Sequence, residues 1–269
     1  MPRIMGILNV TPDSFSDGGS FTCNETVTAQ VERMLEDGVD IIDVGGESTR
    51  PFAEPVSEAE ELDRVIPAIE SICKITDIPV SIDTTKAEVA RQALDAGATM
   101  VNDISALRHD PAMADVVAGY GGGVIIMHMQ GTPGDMQINP KYGDVVAEIH
   151  AFFEKRIQWM KGQGIEEDRI ILDPGIGFGK TLEHNLEILR NIKKFKKLGR
   201  PVLIGHSRKS FLEKLLGLPV EERDCPTAVI SALCANQGAD ILRVHDVRLT
   251  RQALTLAAAI QGQGTCSAP

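Results

Sequence analysis

Eight short runs of apolar residues recur along the 269-residue chain, and segments with helical periodicity separate them. The runs occupy residues 4–8, 41–44, 80–82, 100–101, 124–127, 170–172, 202–204 and 241–244. Hydrophobicity within each run is continuous rather than alternating, so both faces of each predicted strand are expected to be covered, as in a parallel sheet beneath helices. In one intervening segment, an apolar stripe at helical spacing consists of Val146, Ile149, Phe153, Ile157 and Met160.

A weak internal repeat supports this organisation. Gly38, Gly97 and Gly238 are each followed by two residues and then by a predicted strand. Glycine at such a position is typical of a helix end that needs a positive φ. Eight strand–helix units with no Pro/Ser-rich linker favour one (β/α)8 TIM barrel over an open doubly wound sheet. We therefore predict a single α/β domain over residues 1–269, with residues 262–269 a loose tail.

Composition argues against several classes of function. Lys and Arg number 27 against 38 Asp and Glu, a formal net charge of −11 without a dense basic block. Nucleic-acid binding is not expected, because it needs a concentrated positive surface. No charged leader precedes an apolar stretch, and no run approaches the roughly 20 apolar residues of a membrane span. The five cysteines are widely spaced with no C-x-x-C pair. We expect a soluble, unprocessed cytoplasmic protein without membrane partners.

Polar side chains follow almost every predicted strand, at the end of a barrel where catalytic residues gather. Asp83, Asn102 and Asp173 offer carboxylate and amide groups that suit a flat heterocycle with an amino-pyrimidine edge. A second set offers donors that suit phosphate, and one candidate metal ligand. Its members are Asn9, Thr49, Arg50, Arg243 and His245. For any single Asp or Asn, capping of the following helix is the alternative interpretation.

The glycine-rich segment, two histidines and one lysine each allow more than one interpretation. The glycine-rich segment 173–181 does not match a Walker loop, because Pro174 occupies the position of the first glycine. We interpret the segment as a tight loop that lets a ligand approach the backbone. His128 and His206 stay open between packing residues and ligands, and no histidine pair has the spacing of a zinc hydrolase. Lys209 is a candidate for Schiff-base chemistry, but its sequence neighbourhood offers little support.

Eight segments together resemble the dihydropteroate synthase family. They are residues 9–19, 45–51, 81–84, 101–104, 127–131, 173–180, 207–210 and 243–246, and they span the chain from the first predicted strand to the last. The resemblance implies a (β/α)8 barrel, a homodimer and a sulfonamide target. The implied reaction condenses 6-hydroxymethyl-7,8-dihydropterin pyrophosphate with para-aminobenzoate to give 7,8-dihydropteroate and pyrophosphate in folate synthesis, with Mg²⁺ as cofactor.

The resemblance also implies roles for residues at matching positions. The pterin would be bound by Asp83, Asn102, Asp173 and Lys209. The pyrophosphate would be held by Thr49, Arg243 and His245, and Mg²⁺ by Asn9 together with it. The aminobenzoate would be framed by Phe15, Arg50, Pro51, Phe178, Lys209 and Ser210, with Ile104 also in the substrate site. The catalytic residues would be Asp83, Asp173, Lys209, Arg243 and His245.

Our mechanistic hypothesis is a dissociative substitution, in which pyrophosphate leaves a cation-like pterin methylene before the aromatic amine attacks. Two alternatives are a pterin-binding methyltransferase and a non-catalytic pterin carrier. The methyltransferase would not need the pyrophosphate-binding residues, and the carrier would tolerate the loss of Arg243 and Lys209. Two departures from the family pattern are Phe52, where a small residue is common, and His206, where an apolar residue is common.

Overall fold

The computed structural model describes residues 1–10, 20–48, 56–132, 134 and 136–262, with the side chains of the first helix described from Thr26 onward. Within these ranges eight strands alternate with helices. The strands are β1 (Arg3–Asn9), β2 (Ile41–Gly45), β3 (Val80–Asp83), β4 (Met100–Asp103), β5 (Gly123–Met127), β6 (Ile170–Asp173), β7 (Leu203–Ile204) and β8 (Ile241–Val244). The helices are α1 (Ser20–Glu36), α2 (Glu58–Ile75), α3 (Ala87–Asp95), α4 (Met113–Tyr120), α5 (Val145–Gly162), α6 (Leu182–Arg190), α7 (Ile192–Lys196), α8 (Ser210–Leu216), α9 (Asp224–Asn236) and α10 (Val247–Ile260).

The strands form one parallel sheet in the order β6-β5-β4-β3-β2-β1-β8-β7. A parallel bridge between Leu172 and Val202 joins the two ends of this order, and the Leu172 N–H donates to Pro201 O at 2.9 Å. The sheet therefore curls into the predicted (β/α)8 barrel. Among the residues described, no helix combines the length and apolar character that crossing a membrane requires.

Sequence signals that begin helices are present in the structure. Ser57 accepts from the Glu60 N–H at 3.3 Å while the Glu60 carboxylate accepts from the Ser57 N–H at 3.1 Å, a capping box at the start of α2. Asp246 caps α10 by accepting from the Leu249 N–H at 2.7 Å. The predicted apolar stripe of α5 is buried along its whole length, as expected for a helix that covers one face of the sheet.

The barrel interior is apolar at one level and polar at the next. The apolar layer consists of Met5, Ile41, Met100, Ile125, Ile171, Leu203 and Ile241. Because residues two apart on a strand share a face, the next inward position on four of these strands is polar. These polar residues are Asp43, Asn102, Asp173 and Arg243. The sheet therefore directs four polar side chains toward the carboxyl-terminal mouth of the barrel.

Candidate active site

Two carboxylates and one guanidinium meet above the apolar layer. Arg243 Nε donates to Asp43 Oδ2 at 2.5 Å, and Arg243 Nη2 donates to Asp83 Oδ2 at 2.6 Å. Asn102 Nδ2 donates to the same Asp43 oxygen at 3.1 Å. The sequence assigned Arg243 to phosphate and Asp83 to the heterocycle, whereas the structure joins the two sets in one hydrogen-bonded cluster. Arg243 Nη1 takes part in neither bond, so it can still donate to an anion.

The charges in this cluster depend on one another. Burial raises the pKa of Asp83 to about 7, against the opposing effect of Arg243; Asp43 and Glu61 raise it further, and Lys209 lowers it. Burial alone would lower the pKa of Arg243, but Asp43 and Asp83 raise it above its ordinary value. The guanidinium therefore stays charged, and Asp83 can exchange a proton near neutral pH.

Asp173 and Lys209 lie beside this cluster, and together with Asp43, Asp83, Asn102 and Arg243 they form a polar chamber. Asp173 Oδ1 accepts from the Gly175 N–H at 2.7 Å, and burial raises the pKa of this carboxyl. Lys209 Nζ lies 4.1 Å from the centroid of the Phe178 ring, within cation–π range. The positive charge of Lys209 favours the ionised forms of both Asp173 and Asp83. These contacts bring five predicted residues into one compartment: Asp83, Asn102, Asp173, Lys209 and Arg243.

An apolar wall borders the polar chamber. It consists of Ile104, Met127, Met129, Met136 and Phe178, which form one buried cluster. The predicted substrate residues Ile104 and Phe178 are thus neighbours, although they are distant in sequence. Ser210 is exposed as the first residue of α8, directly after Lys209.

The glycines of residues 173–181 allow two loops to approach each other closely. Gly175 has φ +72°, and a Cβ there would lie 2.0 Å from His128 O. Gly179 has φ +62°, and a Cβ there would lie 2.5 Å from Gln130 O. Only glycine fits such positions. The close approach of the loop after β5 accounts for glycine at these two positions. The approach of a ligand to this backbone stays a prediction.

His245 lies at the end of β8 beside Ser207. Ser207 Oγ accepts from the His245 backbone N–H at 3.1 Å and lies 2.8 Å from His245 Nδ1, to which the hydroxyl can donate. Burial lowers the pKa of His245 to about 3, and Arg208 and Arg243 lower it further. His245 is therefore neutral at pH 7. With Nδ1 accepting from Ser207, its proton resides on Nε2, which makes it a neutral donor rather than a cation.

The two histidines left open by the sequence are packing residues. His206 is completely buried, and its Nε2 lies 3.0 Å from both Thr227 O and Ser231 Oγ. These partners accept or share the hydrogen bonds of a ring that is completely enclosed by protein. His128 is also buried, its Nδ1 lies 3.2 Å from Lys180 Nζ, and burial lowers its pKa to about 3.

Helix capping does not account for the predicted heterocycle-binding residues. The N-caps are Lys86 for α3 and Thr181 for α6, so neither Asp83 nor Asp173 caps the helix that follows it. Asn102 lies within β4, ahead of the loop that leads to α4. Carboxylates and an amide kept inside a barrel without a capping role are suited to binding a polar ligand.

Asn9 is exposed at the end of β1. A Cβ at Gly45 would lie 3.9 Å from both Asn9 Oδ1 and Asp83 Oδ2, so the two oxygens border the same space. No group of three His, Cys, Asp or Glu side chains that could hold a metal occurs in the described part of the chain. One exposed amide oxygen fits Mg²⁺ bound mainly through substrate phosphates and water, and it does not fit an all-protein cage.

Some predicted residues lie outside the described ranges. They are Phe15, Thr49, Arg50 and Pro51, together with the departure Phe52 and residues 263–269 of the predicted tail. Asp43 is one of the polar residues that the sequence places at a strand end, but the sequence predicted no role for it. Asp43 follows Ile41 by two positions, as Arg243 follows Ile241, and this spacing was the available signal for an inward side chain.

Comparison with known proteins agrees with the geometry. Residues 5–245 match the family of pterin binding enzymes. A dihydropteroate synthase of Synechocystis sp. is 48% identical over 258 residues, covering 96% of this chain and 89% of that protein. The Escherichia coli dihydropteroate synthase is 45% identical, covering 94% of this chain and 89% of its own length. The chain belongs to the dihydropteroate synthase family.

Solved dihydropteroate synthase structures share the whole fold. The Yersinia pestis enzyme in complex with a sulfonamide drug superposes with a TM-score of 0.92 at 42% identity, covering 97% of this chain and 94% of that chain. The Xanthomonas albilineans enzyme with 4-aminobenzoic acid superposes with a TM-score of 0.90 at 46% identity, covering 100% and 94%. A dihydropteroate synthase is a transferase, so the chain is an enzyme and its (β/α)8 barrel is the fold of the family.

Proposed function

We propose that the chain condenses 6-hydroxymethyl-7,8-dihydropterin pyrophosphate with para-aminobenzoate to give 7,8-dihydropteroate and pyrophosphate. The observation that carries the proposal is the convergence of Asp83, Asn102, Asp173, Lys209 and Arg243 in one chamber. A relative from Xanthomonas albilineans has been solved in complex with 7,8-dihydropteroate, and it superposes with a TM-score of 0.87 at 43% identity.

The inner part of the chamber binds the pterin. Asp173 and Asn102 offer oxygen acceptors to the amino-pyrimidine edge, and Asp83 adds a carboxyl that can exchange a proton near pH 7. Lys209 reaches the ring from the side of Phe178. As electron density leaves the ring, the carboxylates favour the resulting cation. This favours a dissociative reaction, with the bond to the leaving oxygen breaking before the amine attacks.

The outer part of the chamber binds the pyrophosphate. Arg243 Nη1 and the neutral Nε2–H of His245 are donors, and Thr49 is the third member of this set. Mg²⁺, held by Asn9 and the pyrophosphate, would neutralise charge that builds up on the departing oxygens. The aromatic amine is itself the nucleophile, and the departing pyrophosphate takes up the proton that the amine loses as the C–N bond forms. The other residues therefore need supply only orientation and hydrogen bonds.

The aminobenzoate lies against the exposed side of the chamber. Phe178 and Lys209 provide a ring face and a cation for its carboxylate, beside Ile104 and Ser210. Phe15, Arg50 and Pro51 complete this subsite in the proposal. The Yersinia pestis relative was solved in complex with a sulfonamide drug. We therefore also propose that sulfonamides inhibit this enzyme.

One incubation tests the function. The purified chain with the pterin pyrophosphate, para-aminobenzoate and Mg²⁺ is expected to form dihydropteroate and pyrophosphate in equal amounts, detected by chromatography. Absence of product from folded protein contradicts the proposal. Methyl transfer from methyltetrahydrofolate to a corrinoid would support the methyltransferase, and pterin binding without any turnover would support the carrier.

We further propose that the protein is a cytoplasmic homodimer that pairs through α9 and α10. These neighbouring helices each expose two large apolar side chains one turn apart: Val229 and Leu233 on α9, and Leu256 and Ile260 on α10. Sedimentation should give twice the chain mass, and Leu233→Glu should shift the protein toward monomer. A monomeric wild-type protein at micromolar concentration would contradict the dimer.

A further inference from the structure

Asp43 is completely buried among the residues that the proposed function uses. Its Oδ2 accepts from both Arg243 Nε and Asn102 Nδ2. Among the described residues, its Oδ1 has no hydrogen-bond partner, and neither does the Oγ of Ser81, the residue opposite Asp43 in the β2–β3 register. An unsatisfied oxygen on a buried carboxylate destabilises the fold. The presence of Asp43 therefore points to a functional role for its bonded oxygen, Oδ2.

The first task concerns the Asn102 amide. An ionised carboxylate can only accept hydrogen bonds, so Asn102 must turn its NH₂ group toward Asp43. The amide oxygen of Asn102 then points away from Asp43. An amide without a charged neighbour could present either end to a ligand. Asp43 therefore selects the orientation in which Asn102 offers an acceptor to the donor edge of a pterin.

The second task concerns the Arg243 guanidinium. Asp43 binds Nε and Asp83 binds Nη2, so two carboxylates on neighbouring strands β2 and β3 fix the plane of the group. A planar guanidinium bound at two points has one orientation for its remaining donors. Asp43 and Asp83, rather than the substrate, therefore fix the direction in which Nη1 donates.

We propose that Asp43 is a positioning residue for the pterin pyrophosphate substrate, acting through Asn102 and Arg243; the inference rests on the proposed function. A purely structural role predicts a different result. If Asp43 only balanced the charge of Arg243, its loss would lower stability and the amount of folded enzyme, with equal effects on both substrates.

The test is Asp43→Ala, which removes the acceptor of both Arg243 Nε and Asn102 Nδ2, with initial rates measured while each substrate is varied. We expect the KM for the pterin substrate to rise by about 10- to 100-fold, since small errors in orientation have effects of this size. The KM for para-aminobenzoate should stay within about twofold, because Asn102 and Arg243, through which Asp43 acts, belong to the pterin and pyrophosphate parts of the proposed site. Ser81→Ala, a buried neighbour of Asp43, is the matched control and should leave both KM values within about twofold.

A second variant separates orientation from charge. In Asp43→Asn the amide oxygen can take the place of Oδ2 and accept from both Arg243 Nε and Asn102 Nδ2, while the negative charge is lost. We expect its pterin KM to lie well below that of Asp43→Ala, because the orientation of both partners is kept. Equal losses on both substrates, or equal pterin KM values in the two variants, would overturn the inference. Calorimetric titration with the pterin pyrophosphate alone measures the affinity of each variant for this substrate without turnover. A wild type that binds the substrate but forms no product would reject the proposed function, while the comparison of affinities would still test the role of Asp43.

Discussion

Replacing Arg243 with methionine is expected to lower kcat/KM by at least about 10²- to 10³-fold, the usual effect of removing one preorganised donor to a developing negative charge. The same change should destabilise the fold. It leaves the buried carboxylates of Asp43 and Asp83 without their cation, and removal of one partner from a buried ion pair costs about 3–5 kcal/mol.

The loss of stability in Arg243→Met should depend on pH. Arg243 lowers the pKa of Asp83, so its removal moves that pKa upward from about 7, farther above the value in the unfolded chain. A carboxyl with a raised folded-state pKa loses its stabilising contribution as the pH rises through that pKa. The deficit relative to wild type should therefore grow above pH 7. Urea unfolding at pH 6 and pH 8.5 measures it.

Arg248 provides the control for this prediction. It is exposed on α10, five residues after Arg243. Arg248→Met should change neither kcat/KM nor the urea midpoint appreciably, because exposed charges contribute little to stability. Wild-type kcat/KM in Arg243→Met, or equal losses in the two variants, would show that the buried cluster does not support the reaction.

Gly175→Ala is the second change with a large expected effect. The new Cβ would lie 2.0 Å from His128 O, so the loops after β5 and β6 must separate. We expect destabilisation of at least about 3 kcal/mol, combining left-handed strain with overpacking. Because the Gly175 N–H bonds to Asp173 Oδ1 and Gly175 O accepts from the Phe178 N–H, kcat/KM should also fall by at least about tenfold.

The chain offers a matched control for backbone strain. Gly199 has φ +71° against +72° for Gly175, but a Cβ at Gly199 would meet no atom of the described residues within 4 Å. Gly199→Ala should cost only about 1–2 kcal/mol, the penalty of the left-handed conformation, and leave kcat/KM unchanged. If the two variants unfold at the same urea concentration, the close approach of the two loops does not contribute to stability.

The sequence predicted the barrel well, because continuous apolar runs at eight positions admit few other arrangements of strands. It also predicted that Asp83, Asn102, Asp173 and Lys209 meet, since strand ends of a parallel barrel share one face. The partners of each side chain were harder to infer. Arg243 and Asp43 are 200 residues apart, and spacing along a strand reveals the face of a residue but not its neighbour across the barrel.

The glycine-rich segment illustrates a second limit. Its composition predicted a tight loop, and Gly175, Gly177 and Gly179 have positive φ angles. Composition does not reveal what the loop approaches, and the backbone of His128 belongs to a different strand–helix unit. His206 shows the same limit, because its acceptors Thr227 and Ser231 lie in α9, one helix further along the chain.

A crystal structure of this chain with bound 6-hydroxymethyl-7,8-dihydropterin pyrophosphate, without para-aminobenzoate, tests the central claim most directly. We predict that the pterin ring lies within hydrogen-bond distance of Asp83, Asn102 and Asp173, with the pyrophosphate toward Arg243 Nη1 and His245 Nε2. A ring bound outside the barrel mouth, or a pyrophosphate innermost against Asp43, would contradict the account.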